Sequence, residues 1–174
     1  MLIFLIGYMG CGKSTIGRKL KQRLGWPLVD TDALIEESER RTIGEIFETN
    51  GEEYFRECER ATVRSLIYKG DSCIVSTGGG LPIWQGNMEL LKAAGLTVYI
   101  LRTAENIASR LSPNGRYKRP KLRGLNDEEL ISFMSNGIAE RDPIYREAEL
   151  VIEAVPMSDD EILNTIINYI KGLK

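Results

Sequence analysis

Residues 7–14 read Gly-Tyr-Met-Gly-Cys-Gly-Lys-Ser, the G-x-x-x-x-G-K-S spacing of a phosphate-binding P-loop. No other stretch constrains the chain as much. Its glycines let backbone N–H groups turn inward onto phosphate oxygens. Lys13 brings a point charge to the outer phosphates, and Ser14 offers its hydroxyl to a magnesium ion. A helix starting there aims its positive dipole end at the anion. The flanks supply the required setting. Leu2–Ile6 is an apolar run of strand length, and Thr15–Leu24 places Ile16, Leu20 and Leu24 on one helical face. The competing dinucleotide fingerprint fails, because G-x-G from Gly10 needs glycine at position 15, where Thr15 stands. Cys11 carries two readings. A thiol at a helix start can be acidified into a redox switch, and a small residue simply fits a tight loop.

A chain of 174 residues suits one domain with a real core. The formal net charge of −2 argues against bulk affinity for nucleic acid. No apolar run reaches the roughly 18 residues of a membrane span. The first strand begins at Leu2, which leaves no room for a signal peptide. Cys11, Cys58 and Cys73 show no C-x-x-C spacing, as expected of reduced thiols in a cytoplasm without structural zinc. Histidine is absent, so any general base is a carboxylate, Lys, Tyr or Cys.

Strand-like runs at Leu2–Ile6, Leu28–Val29, Cys73–Ser76, Leu96–Leu101 and Leu150–Ile152 alternate with helical stretches. That alternation predicts an α/β fold, a parallel sheet with helices on both faces. Capping boxes are expected at Thr42/Glu45, Asn50/Glu53, Asn126/Glu129 and Ser158/Glu161. Asp142 precedes Pro143, so the helix from Asn126 is expected to break or kink there. No linker, repeat or low-complexity tract suggests a domain boundary.

The second strand ends in Asp30-Thr31-Asp32, and strand carboxyl ends in open α/β sheets face the ligand crevice. Two acids there can divide labour, one toward magnesium through water and one toward a substrate hydroxyl. Alternatively, one of them caps the helix expected at Ala33–Glu39. The third strand runs into Gly78-Gly79-Gly80, either a close approach to a ligand or a plain turn. It does not end in Asp, and no Asn-Lys-x-Asp motif occurs. Both absences point away from motor ATPases and GTPases, towards small-molecule kinases. Arg56, in the second turn of a helix expected from Glu52 to Tyr68, reads by itself as a surface residue paired to neighbours such as Glu59. Residues 112–124 carry Arg116, Lys118, Arg119, Lys121 and Arg123 without an acid. They read as a cationic lid, with a nucleic-acid patch or an inert loop as rivals. Arg141, at the expected break, reaches either the crevice or its own helix end.

In combination the motifs resemble shikimate kinase over essentially the whole chain. The carriers are the P-loop, Asp30-Thr31-Asp32, Gly51-Glu-Glu-Tyr-Phe-Arg56, Gly78-Gly79-Gly80, Arg119-Pro120 and Arg141-Asp-Pro-Ile-Tyr145. The resemblance implies a three-layer P-loop kinase fold like that of nucleoside monophosphate kinases, with a five-stranded parallel sheet. It implies one domain, 1–174, with a substrate segment at about 31–60 and a lid at about 112–124. The implied reaction moves the γ-phosphate of ATP to the 3-hydroxyl of shikimate, using Mg2+, on the route to chorismate and aromatic amino acids. The implied protein is a cytoplasmic monomer whose partners are small molecules, with no nucleic acid and no membrane. By the same resemblance Gly10, Cys11, Gly12, Lys13, Ser14 and Thr15 bind the ATP phosphates, and Arg110 stacks on adenine. Ser14 and Asp30 hold the metal. Asp32 bonds the shikimate hydroxyls and is the candidate base, with Lys13 and Arg119 as its catalytic partners. Arg56 and Arg141 hold the carboxylate. Phe47 and Phe55 line the ring, and Gly78, Gly79 and Gly80 approach the substrate. The sequence departs from the family pattern after Arg119-Pro120 and near Val155-Pro156.

Overall fold

The computed structural model describes residues 1–111 and 122–173. Five strands, β1 (Leu2–Ile6), β2 (Leu28–Asp30), β3 (Cys73–Ser76), β4 (Gly95–Leu101) and β5 (Leu150–Glu153), form one sheet in the order β2-β3-β1-β4-β5. Every pairing is parallel. The central strands are buried along almost their whole length. That is why they read as continuous apolar runs rather than alternating ones: helices cover both faces. The edges β2 and β5 are only partly buried.

Connections carry the helices α1 (Lys13–Leu24), α2 (Thr31–Glu39), α3 (Ile43–Lys69), α4 (Asn87–Ala94), α5 (Ala104–Arg110), α6 (Asp127–Tyr145) and α7 (Asp159–Gly172). The chain leaves β1 toward β2 and β3 on one side and later returns to β4 on the other. The carboxyl ends of β1 and β3 therefore flank a topological switch point, where ligands of such sheets sit. The P-loop follows β1, and the glycine triplet follows β3.

Sequence reasoning placed all five strands within a residue at each end. Helices α1 and α2 begin two residues earlier than expected. The boxes at Thr42/Glu45, Asn126/Glu129 and Ser158/Glu161 form. The box at Asn50/Glu53 does not: Asn50 Oδ1 accepts from Arg41 Nη1 at 2.9 Å. Gly51, at φ 82° and ψ 178°, makes the corner instead and splits α3 into two helical stretches. A residue with a side chain adopts that backbone only under strain. Of the break or kink expected at Asp142, the break does not occur: α6 continues through Pro143 and closes at Tyr145, the end of the stretch expected to close it. Proline there removes one intrahelical bond within the last turn. The fully buried Tyr145 and an Arg146 N–H bond to the Asp142 carbonyl at 2.9 Å hold that turn closed.

One large apolar core lies between the sheet and its helices. A small satellite of Ile35, Ile46 and Phe55 joins α2 to α3. It fixes the pair of helices that carries Asp32 and Arg56. Among the described residues no helix is long and apolar enough to cross a membrane.

Candidate active site

The P-loop closes on its own lysine. Lys13 Nζ donates to the carbonyls of Gly7 at 2.7 Å and Tyr8 at 3.1 Å, and the residue is only 8% exposed. Cys11 is buried beside it, with Sγ 3.8 Å from Nζ, which favours the small-residue reading over a solvent-accessible redox thiol. Arg102, at the end of β4, was passed over in the sequence. It is buried, and its Nε donates to the Cys11 carbonyl at 2.9 Å while Nη1 donates to the Ala154 carbonyl at 2.9 Å. This arginine ties the loop to the chain after β5, a pairing no local motif reveals.

A cleft of about 390 Å³ opens over the loop, lined by Gly10, Gly12, Lys13, Ser14, Thr15, Asp30, Asp32, Gly78, Gly79 and Arg110 among others. A second groove of about 320 Å³, between α2 and α3, lies away from the phosphate-binding backbone.

The two acids behave differently. Asp30 caps α2, its Oδ1 accepting from the Asp32 N–H at 3.1 Å, and its Oδ2 accepts from Ser14 Oγ at 3.3 Å. Asp30 thus fills the capping role and at the same time joins Ser14 across the loop. Asp32 stays free for a ligand: its Oδ1 is buried without a hydrogen-bond partner. Burial, then the negative charge of Asp30, pushes its carboxyl up to about 6.

Glu59 joins it from α3. The residue is fully buried, and its Oε1 also lacks a partner. Burial pushes this carboxyl up to about 7, with Arg56 pulling the other way. Both orphaned oxygens converge on Gly78, where a Cβ would stand 2.5 Å from Glu59 Oε1 and 2.8 Å from Asp32 Oδ1. Gly78 is anchored in turn by its N–H, which donates to Thr31 Oγ1 at 2.9 Å. The sequence suggested Glu59 only as a neighbour for a surface arginine. Its burial depends on how α3 docks, which spacing alone does not give.

Arg56 is not a surface residue. Its side chain is 12% exposed, held by Glu59 at 2.6 Å and Glu52 at 2.8 Å, and its guanidinium presses on Gly80. It also lies 5.4 Å over the Phe55 ring, and Phe55 packs on the more exposed Phe47 at 4.8 Å. Arg141 faces the P-loop from α6, 5.2 Å over the Tyr8 ring, with Nε buried and unpartnered. Four residues on, the Tyr145 hydroxyl donates to the Gly79 carbonyl at 2.5 Å. Arg110 reaches the cleft beside Gly12. Arg119 and most of the basic lid lie outside the described residues.

The donors fit magnesium. Ser14 Oγ and Asp30 Oδ2 are hard oxygens within hydrogen-bond reach of each other. Among the described residues no group of three or more metal-binding side chains occurs. Magnesium bound with substrate phosphates needs only one or two protein oxygens.

A P-loop beside two carboxylates, each with one unpartnered oxygen, and two half-buried arginines suits a P-loop kinase acting on a small hydroxylated anion. Comparison with known proteins narrows the class. The shikimate kinase family model matches residues 9–171. A curated shikimate kinase of Azobacteroides pseudotrichonymphae is 38% identical over 95% of this chain and 96% of its own length. The crystal structure of shikimate kinase from Bacteroides thetaiotaomicron superposes with a TM-score of 0.85 at 34% identity, covering 99% of this chain and 97% of that one. That of the Acinetobacter baumannii enzyme in complex with shikimate also gives 0.85, at 33% identity over 99% and 94%. The chain belongs to the shikimate kinase family.

Proposed function

We propose that the protein transfers the γ-phosphate of ATP to the 3-hydroxyl of shikimate, giving shikimate 3-phosphate and ADP. The observation that carries this reading is Asp32: a buried carboxylate oxygen without a partner, in the cleft over the P-loop, with Arg56 close enough to act on its charge. Phosphoryl transfer needs mainly positioning and charge neutralisation. Loop N–H groups from Gly10 to Thr15 hold the phosphates, Lys13 turns its charge to the transferring group, and Arg110 stacks on the base. Ser14 and Asp30 would hold magnesium, which would supply charge neutralisation at the phosphates. Asp32 accepts the hydroxyl proton. A carboxyl at about 6 is ionised at neutral pH and more basic than an exposed one. Arg56 and Arg141 grip the substrate carboxylate with planar forks, and Phe47 and Phe55 border its ring. Residues 31–60 form the substrate segment, and 112–124 a lid that brings Arg119 to the phosphates. A cytoplasmic monomer completes the proposal.

The test is a coupled assay of ADP release with shikimate, gluconate and nucleoside monophosphates as acceptors. Turnover with shikimate at least about a hundredfold above the others supports the reading, because a site built around specific polar contacts rejects analogues lacking them. Equal or greater turnover with gluconate or a nucleotide overturns it.

A further inference from the structure

Tyr8 is the first variable residue of the P-loop, and its main chain serves the loop. The carbonyl accepts from Lys13 Nζ at 3.1 Å and from the Cys11 N–H at 3.2 Å. Its side chain turns away to α6. The ring lies under the Arg141 guanidinium, 5.2 Å from centroid to Cζ. The hydroxyl rests against Gly137, where a Cβ would overlap it. Only 3% of Tyr8 is exposed. Glycine in a helix interior is unfavourable relative to alanine, so a mid-helix Gly137 calls for a packing reason, and Tyr8 supplies one. Arg141 Nε is buried and has no hydrogen-bond partner. The face of the guanidinium is thus occupied by an aromatic ring, and a side-chain hydrogen bond to Tyr145 helps fix its plane. A flat cation held by its face presents its fork at a fixed angle.

We infer that Tyr8, though it belongs to the nucleotide loop, is a positioning residue for the other substrate: its ring orients Arg141 toward the acceptor's carboxylate, and Gly137 makes room for it. The inference rests on the proposed role of Arg141. Tyr8 touches neither substrate in this account and acts only through the arginine. The same residue therefore links the two half-sites, its backbone shaping the phosphate loop and its ring shaping the carboxylate grip.

The experiment measures shikimate and ADP affinities by calorimetry for the parent, Tyr8→Phe, Tyr8→Leu and Gly137→Ala, with a thermal melt for each. Tyr8→Phe keeps the ring and is expected to stay within about twofold of the parent for both ligands. Tyr8→Leu removes the π face and is expected to weaken shikimate about five- to thirtyfold, with ADP within about twofold. Gly137→Ala displaces the ring from α6 and is expected to weaken shikimate in the same sense, again sparing ADP. Should Tyr8→Leu fail to fold, Gly137→Ala alone decides. A parent that binds ADP but not shikimate overturns the functional reading and this inference together. A parent that binds both overturns this inference alone if the folded Tyr8→Leu and Gly137→Ala variants keep parental shikimate affinity, or lose both ligands equally.

Discussion

The two halves of the proposed site would recognise their ligands by different means. The nucleotide half centres on a single stretch of eight residues after β1 that offers backbone N–H groups, with the Lys13 and Arg110 side chains adding charge. The acceptor half draws Asp32 from α2, Arg56 and Glu59 from α3, the glycines after β3 and Arg141 from α6. It works through side chains, several of them charged and buried. Phosphate groups are alike in every nucleotide, so main-chain N–H groups suffice for them. A particular hydroxylated acid has to be read by specific carboxylates and guanidiniums. The acceptor half accordingly carries the stored cost, in two orphaned carboxylate oxygens packed against Gly78.

Breaking the nucleotide half is expected to have the largest effect. Lys13→Ala removes the charge at the transferring group, and turnover is expected to fall about a thousandfold, measured by steady-state ADP release on protein of unchanged circular dichroism. Asp32→Asn keeps the shape but cannot accept a proton, and a loss of about a hundredfold in turnover is expected, the low end of a general base's contribution. Gly78→Ala would drive a methyl group into Glu59 and Asp32, so calorimetry is expected to show shikimate binding lost with ADP binding kept. Asp30→Asn is milder. Asn can still cap α2, but it is a poorer partner for a cation, so the magnesium concentration for half-maximal rate is expected to rise several-fold in a titration.

The smallest effect is on stability, and it has a defined sign. The Asp32 and Glu59 carboxyls are raised on folding from 3.8 to about 6 and from 4.5 to about 7. Between those values the folded chain holds protons that the unfolded chain has shed. Stability therefore falls as pH rises through that window, and the penalty is complete above about 7. Asp32→Asn removes its share. Urea melts of the variant are expected to match the parent near pH 4 and to exceed it by about 1–2 kcal/mol at pH 8. No gain at pH 8 would mean that Asp32 is paired or solvated in the free protein.

The same contrast explains what was legible. Local chemistry announced the P-loop, all five strands and three capping boxes, because each is written in adjacent residues. Asp30 and Asp32 were both visible, but their spacing left open which one caps the helix, and only the family resemblance divided their roles; the structure shows Asp30 turning back to its helix and Asp32 facing Gly78. Glu59 looked like a solvated neighbour of Arg56 until the docking of α3 buried it. Arg102 and the Tyr8–Gly137 contact join elements far apart in sequence, and no periodicity signals them. Pro143 carried a real local rule, overridden by the burial of Tyr145 two residues later.

The central claim is that the halves are separable, with side chains around the glycine triplet reading the acceptor alone. Arg56→Lys tests it most directly, because lysine keeps the charge and loses the planar fork. Calorimetry of shikimate and ADP binding to this one variant is the measurement. Shikimate is expected to weaken about tenfold or more, as for the loss of one charged hydrogen bond, with ADP affinity within about twofold of the parent. Unchanged shikimate affinity, or an equal loss for both ligands, would contradict it.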